Sequence, residues 1–146
     1  MIRFLRKRFA KSVYPIAWTL IIGILLALPG SMLPKEKGFT IPQFDKIVHI
    51  GLFGGFVFLW NLWLAARPVV TGRNGIAGQP ILANHLLRRF FIVFILGCSY
   101  GIGMEYVQKY FIPGRDFDLA DIIADMIGAG LAYGLSNIWL LPAEPE

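Results

Sequence analysis

The chain reads as four long apolar runs separated by short polar stretches. The first extends from about Val13 to Leu33 without a charge. The second, from about Lys46 to Ala66, is interrupted by His49. The third covers about Phe90 to Phe111 and carries Glu105 near its far end. The fourth runs from about Leu119 to Leu141, with Asp121 and Asp125 near its start. Each is close to the ~20 residues that cross a hydrocarbon layer at about 1.5 Å per residue. The pattern predicts an all-α fold, an integral-membrane bundle of four transmembrane helices forming one domain over residues 1–146.

Composition agrees with that reading. A hydrophobic content of 56% and a mean hydropathy of +0.62 leave too little polar surface to cover a soluble domain of this size. Met1 to Lys11 would suit the basic start of a cleavable signal. However, Leu28-Pro29-Gly30-Ser31 lacks the small-x-small cleavage pattern, and the run is long enough to span, so an uncleaved helix is expected.

Charge changes the picture by setting direction. Arg3, Arg6, Lys7, Arg8 and Lys11 precede the first run, and Arg67, Arg73, Arg88 and Arg89 lie between the second and third. This excess predicts that both termini and the Arg67–Arg89 connection are cytoplasmic. The opposite side carries Glu36, Asp45, Glu105, Asp116, Asp118, Asp121 and Asp125 against Lys35, Lys37, Lys46, Lys109 and Arg115. The net charge of +5 therefore reports topology rather than a nucleic-acid surface, and no nucleic-acid partner is expected. The single cysteine, Cys98, excludes an intrachain disulfide and a thiolate zinc site.

In lipid, close helix packing relies on small residues. Gly51 and Gly55, Gly97 and Gly101, and Gly130 and Gly134 are small-xxx-small pairs, with Gly128 beside the last. They serve packing within one bundle and also leave an oligomer through Gly-rich faces possible. Trp18, Trp60, Trp63 and Trp139 fall in the halves assigned to the cytoplasmic side, as an interfacial belt would.

The candidate chemistry lies on the outward side. Carboxylates at bilayer depth are costly, about 2.5–3.5 kcal/mol each at a helix centre on insertion scales, and mark functional sites. Asp45 and His49 share a helix face at i, i+4, and Glu105 and Gln108 share one at i, i+3. Asp118, Asp121 and Asp125 form a third stripe, and Arg115 sits in the turn Ile112-Pro113-Gly114-Arg115-Asp116 above them. Simpler roles stand beside the functional one. Asp118 suits an N-cap with Asp121 at N3, His49 an interfacial hydrogen bond, and Arg115 an ion pair with Glu105, Asp118 or Asp121. Glu105 and Asp125 interrupt apolar helices away from caps and fit the simple roles least.

The ordered set Asp45-Lys46-x-x-His49, Glu105-x-x-Gln108 and Pro113-Gly114-Arg115-x-x-Asp118-x-x-Asp121-x-x-x-Asp125-x-x-Gly128 resembles the signature of the VanZ-like family. The resemblance covers essentially the whole chain. In that family the position matching Asp125 is usually Asn, so this chain departs there. The family is named for a membrane protein associated with resistance to the glycopeptide teicoplanin, and its biochemical activity is not established. The resemblance implies a role in the bacterial envelope, at the inner membrane.

Two classes of function fit these residues. One is a non-catalytic envelope protein whose outward site of Asp45, His49, Glu105, Gln108, Arg115, Asp118, Asp121 and Asp125 binds a lipid headgroup or a lipid-linked cell-wall precursor. There Arg115 would hold phosphate by its planar fork. It needs no cofactor. The alternative is an enzyme acting on a lipid-linked substrate at the outer leaflet, with carboxylates holding a divalent cation or a His49–Asp45 pair acting as base. No nucleophile-elbow, zincin or phosphate-loop motif supports it. A proton relay or transporter is a third option, but the acids stop in the outer half.

Overall fold

The computed structural model describes residues 11–32, 43–67 and 79–141, the side chains of 79–82 excepted, and among them all regular structure is helical. Helix α1 spans Val13–Leu26, α2 Phe44–Ala65, α3 Gln79–Phe111 and α4 Leu119–Leu140, with a 3-10 turn at Gly30–Met32. The three helices α2, α3 and α4 are long and apolar enough to cross a membrane. The basic residues before Lys11, together with Leu33, Lys35, Glu36, Lys37 and Arg73, lie outside the described residues.

Two boundaries differ from the hydropathy pattern. The run expected to reach Leu33 is helical only to Leu26, 14 residues or about 21 Å of rise. Pro29 explains the stop, because the residue before a proline is driven out of the helical region. At the other extreme, α3 begins at Gln79 rather than near Phe90. Arg88 and Arg89 look like a boundary in sequence, yet Leu86 and Phe90 are both buried with Leu62 and Leu140. Packing carries the helix through the charges, and Pro80 sits in the first turn, where its missing N–H costs nothing.

At its other end, α3 stops before Ile112-Pro113-Gly114, and Gly114 takes φ +73°, a conformation glycine adopts freely. The Gly30 N–H donates to Pro113 O at 3.2 Å, and a Cβ at Gly30 would overlap the Gly114 carbonyl. The end of α1 is thus docked, backbone to backbone, on the α3–α4 turn. Gln108 adds a second link, its Nε2 donating to Leu26 O at 2.9 Å. These contacts, and those of Lys46 with α4, bring the ends of α1 and α3 and the starts of α2 and α4 together. Leu62, Leu86, Phe90 and Leu140 close the opposite end. The four described helices therefore alternate in direction along the bundle.

The contact between α2 and α4 is the most extensive in the bundle, α3 lies across both, and α1 leans mainly on α2. Glycines set these approaches, since in lipid close van der Waals contact replaces water-driven burial. A Cβ at Gly128 would overlap the Ile50 backbone, and one at Gly54 would lie 3.3 Å from Gly128 O. Gly97 faces Val57 and Phe56, and Gly55 lies under the Trp18 ring. The small-xxx-small pairs are split by their surroundings. Gly97 and Gly101 both face inward, whereas Gly51 and Gly134 have no neighbour within 4 Å of an added Cβ. Two of the tryptophans expected in a belt are links between helices. Trp18 Nε1 donates to Leu52 O at 2.9 Å and Trp60 Nε1 to Thr19 Oγ1 at 3.2 Å.

Gly128→Leu must push α4 off the Ile50 backbone and is expected to cost at least about 1–3 kcal/mol, the usual price of overpacking. Thermal unfolding in mild detergent should show a clear fall in Tm, while Gly134→Ala, which meets open space, should leave it near the parent value.

Candidate functional site

The polar side chains converge at the end where α2 and α4 begin. Lys46, in the first turn of α2, donates through Nζ to Asp118 Oδ2 and Asp121 Oδ1. Its ammonium also lies 2.9 Å from Asp45 Oδ2. Asp45 and Asp118 form the outer rim, with side chains 59% and 47% exposed, while Lys46 and Asp121 lie inside it at 19% and 11%. One ammonium therefore ties three carboxylates from two helices.

One turn deeper, His49 and Asp125 are buried and face each other across the α2–α4 seam. His49 Nδ1 and Asp125 Oδ1 are 2.8 Å apart; with the carboxylate accepting, Nδ1 carries the proton of this bond. Nε2 points toward Asp121, 3.9 Å from Oδ2. Room for Asp125 comes from α3, where a Cβ at Gly101 would lie 2.6 Å from Asp125 Oδ2. That close approach is the reason this position of the Gly97–Gly101 pair faces inward.

Glu105 and Gln108 come from α3, and both are buried. Glu105 Oε2 accepts from the Asp118 backbone N–H at 2.9 Å. Asp118 is the N-cap of α4, its Oδ1 accepting from Ala120 N–H at 2.8 Å, which is the simple role its position suggested. The Lys46 ammonium first, and the Ala120 N–H second, hold the Asp118 carboxyl below its ordinary value. Glu105 thus fixes the entry of α4, and Gln108 caps the free carbonyl end of α1.

Two sequence expectations change here, and one residue is added. His49 pairs with Asp125 on another helix, not with Asp45 on its own, because Asp45 points to the rim. The Arg115 guanidinium forms no ion pair with Glu105, Asp118 or Asp121 among the described residues; Lys46 takes that place. The Arg115 Nε is buried and has no hydrogen-bond partner among them. Lys46 is the residue that counting charges for topology overlooked. The signal was present, since Lys46 and His49 are spaced i, i+3 and so share a face.

The same geometry accounts for the departure at Asp125. An Asn side chain has the same shape and offers a carbonyl oxygen to the same His49 N–H, so either residue completes the pair. A divalent cation is a tighter question. Oxygens of Asp45, Asp118 and Asp121 lie within 4.8 Å of one another, which suits an oxygen-seeking ion. All three of those carboxylates already hold the Lys46 ammonium.

These features coincide with a known family. The chain belongs to the VanZ/LLP1 family, whose pattern matches residues 5–140, and with its three long apolar helices it is a membrane protein. An uncharacterized protein of Schizosaccharomyces pombe is 27% identical over 122 residues, 82% of this chain. The chain spans 63% of the length of that curated relative. No solved structure matches the chain.

Removing the ammonium leaves the carboxylates facing one another. Lys46→Gln should lower stability by about 1–3 kcal/mol, between the surface and buried ion-pair limits, and adding Asp121→Asn should recover part of the loss in thermal unfolding. Asp118 contributes stability that is complete above its unfolded value of 3.8 and lost as pH falls through the lower folded value; Asp118→Asn should flatten that acid limb. At the buried pair, Asp125→Asn should keep Tm close to the parent, whereas Asp125→Leu, which strands the His49 N–H, should cost about 1–3 kcal/mol.

Proposed function

We propose that this chain is a multi-pass protein of the bacterial inner membrane, with both termini cytoplasmic, whose outward polar end binds the polar part of a membrane lipid or lipid-linked glycan without transforming it. The observation that carries this reading is the division of labour within the site. Its inner members are spent on the protein itself: His49 on Asp125, Glu105 on the start of α4, and Gln108 on the end of α1. A group poised for acid–base work would instead need a clear path to a substrate proton.

The rim has the opposite character. Asp45 and Asp118 are open to amines and hydroxyls, and the Arg115 Nε is a buried donor without a hydrogen-bond partner among the described residues. A donor left unpaired away from water is costly, and a planar guanidinium is matched to a phosphate. Open carboxylates at the rim and a guanidinium in the turn before α4 suit a ligand of both signs, an amine-bearing phospho-headgroup or a sugar phosphate. On this reading any effect on a glycopeptide would follow indirectly, from a changed cell surface.

The second reading, an enzyme using a divalent cation, is favoured by the three carboxylates gathered at the rim. A cation there competes with the Lys46 ammonium for the same carboxylates. Manganese or magnesium should therefore raise the Tm of Lys46→Met, where the three carboxylates are vacated, and leave the parent unchanged. Stabilisation of the parent by either ion would put the metal reading first.

Native mass spectrometry of the protein in lipid nanodiscs tests the binding reading, with Arg115→Gln as the comparison. The parent should retain a phospholipid or lipid-linked sugar through activation, and the variant should retain it about tenfold less, equivalent to about 1.4 kcal/mol. Equal retention by both proteins would reduce the polar end to a structural ion network.

A further inference from the structure

Beside the carboxylate end, on the outer surface of the α3–α4 seam, lies an aromatic cluster that neither the fold nor the proposed site uses. Tyr106 and Tyr110 are successive residues on one face of α3, their rings parallel to within 6° and 6.4 Å apart. Phe117, in the turn before α4, packs on Tyr106 at 5.6 Å. All three are exposed, Tyr110 at 64%. The Lys109 ammonium lies over both flanking rings, 5.3 Å from Tyr110 and 5.6 Å from Phe117. Unlike Lys46, Lys109 makes no ion pair among the described residues.

Rings with an apolar body and a polar tip favour the membrane interface, and a lysine stem that ends among them places its charge at the headgroups. The other end of the bundle carries a counterpart. There the Arg67 guanidinium lies 4.6 Å from the Trp63 ring centre. Between the two girdles runs α2, 22 residues long and so about 33 Å, close to the ~30 Å hydrocarbon thickness. Charge decides which lipid suits the outer girdle. The polar end is rich in carboxylates, which repel anionic phosphate, and Lys109 is a cation at its edge that those carboxylates do not neutralise.

We propose that Tyr106, Tyr110, Phe117 and Lys109 form a contact surface for the headgroup layer of a bilayer containing anionic phospholipid, seating the carboxylate site at the depth of the lipid phosphates. The surface is separate from the rim residues, so it holds whatever ligand they take. It places the mouth of the site where a headgroup reaches it sideways, from the leaflet, rather than from bulk water.

The test is a depth measurement by nitroxide collision rates in full-length protein, with Cys98→Ala as background, in nanodiscs of phosphatidylcholine with and without phosphatidylglycerol. A label at Tyr110→Cys should report the phosphate level, and one at Ile102→Cys about 12 Å deeper, from eight residues at 1.5 Å. Phosphatidylglycerol should raise the Tm of the parent, and Lys109→Gln, which leaves the aromatic rings in place, should abolish that rise. A label at position 110 that collides freely with the aqueous reagent would overturn the proposal, placing this surface in water, free for a soluble partner. A label shielded from both reagents would overturn it in favour of a second copy. A Tm rise unchanged in Lys109→Gln would remove Lys109 from the contact and with it the preference for anionic lipid.

Discussion

The Lys46 ammonium is the constraint on which the rest of this structure depends. The starts of α2 and α4 each bring acids to the same end of an apolar bundle: Asp45 from one, Asp118 and Asp121 from the other. Without a cation between them these carboxylates repel, and in a membrane-facing environment their charge is expensive. Lys46 bonds all three. In doing so it fixes the register of α2 against α4, the register in which Gly128 meets the Ile50 backbone and His49 meets Asp125. The close glycine contact and the ion network are thus two ends of one alignment.

The remaining helices secure that arrangement from the side. Glu105 on α3 holds the Asp118 N–H at the start of α4, and Gln108, one turn further on, holds the Leu26 carbonyl at the end of α1. Gly30 against Gly114 lets the α1 end and the α3–α4 turn touch through their backbones. Every carboxylate that the sequence places inside an apolar helix has a defined partner. What stays open to the surroundings is the rim, where Asp45 and Asp118 lie.

Most of the fold was legible from the chain because its strongest signals are long and redundant. Four apolar runs and an asymmetric distribution of Lys and Arg predict helices, their alternation and the end at which the acids gather. Where the reading slipped, packing overrode a local cue. Arg88 and Arg89 looked like the start of a span, yet Leu86 beneath them is buried against Leu62 and Leu140, so α3 continues upstream. The site was legible in its membership but not in its pairing. Helical spacing shows which residues share a face, such as Asp45 and His49, and says nothing of which face meets which. Contacts between helices therefore gave His49 to Asp125, gave Glu105 to a backbone amide, and gave the aspartates Lys46 rather than Arg115. Lys46 was masked for another reason: a lysine at the edge of an apolar run also fits a topology signal, and only its contacts across to α4 show the second role.

The most direct test of this account is the distance from Lys46 Nζ to the Asp121 carboxyl carbon, measured by solid-state NMR dipolar recoupling in protein labelled at both residue types and reconstituted in bilayers. A hydrogen-bonded separation, abolished in Asp121→Asn by loss of the carboxylate signal and unaffected by added magnesium, is the predicted result. A Lys46 ammonium without measurable coupling to any aspartate, exchanging freely with water, would contradict it and leave α2 and α4 aligned by their glycine contacts alone.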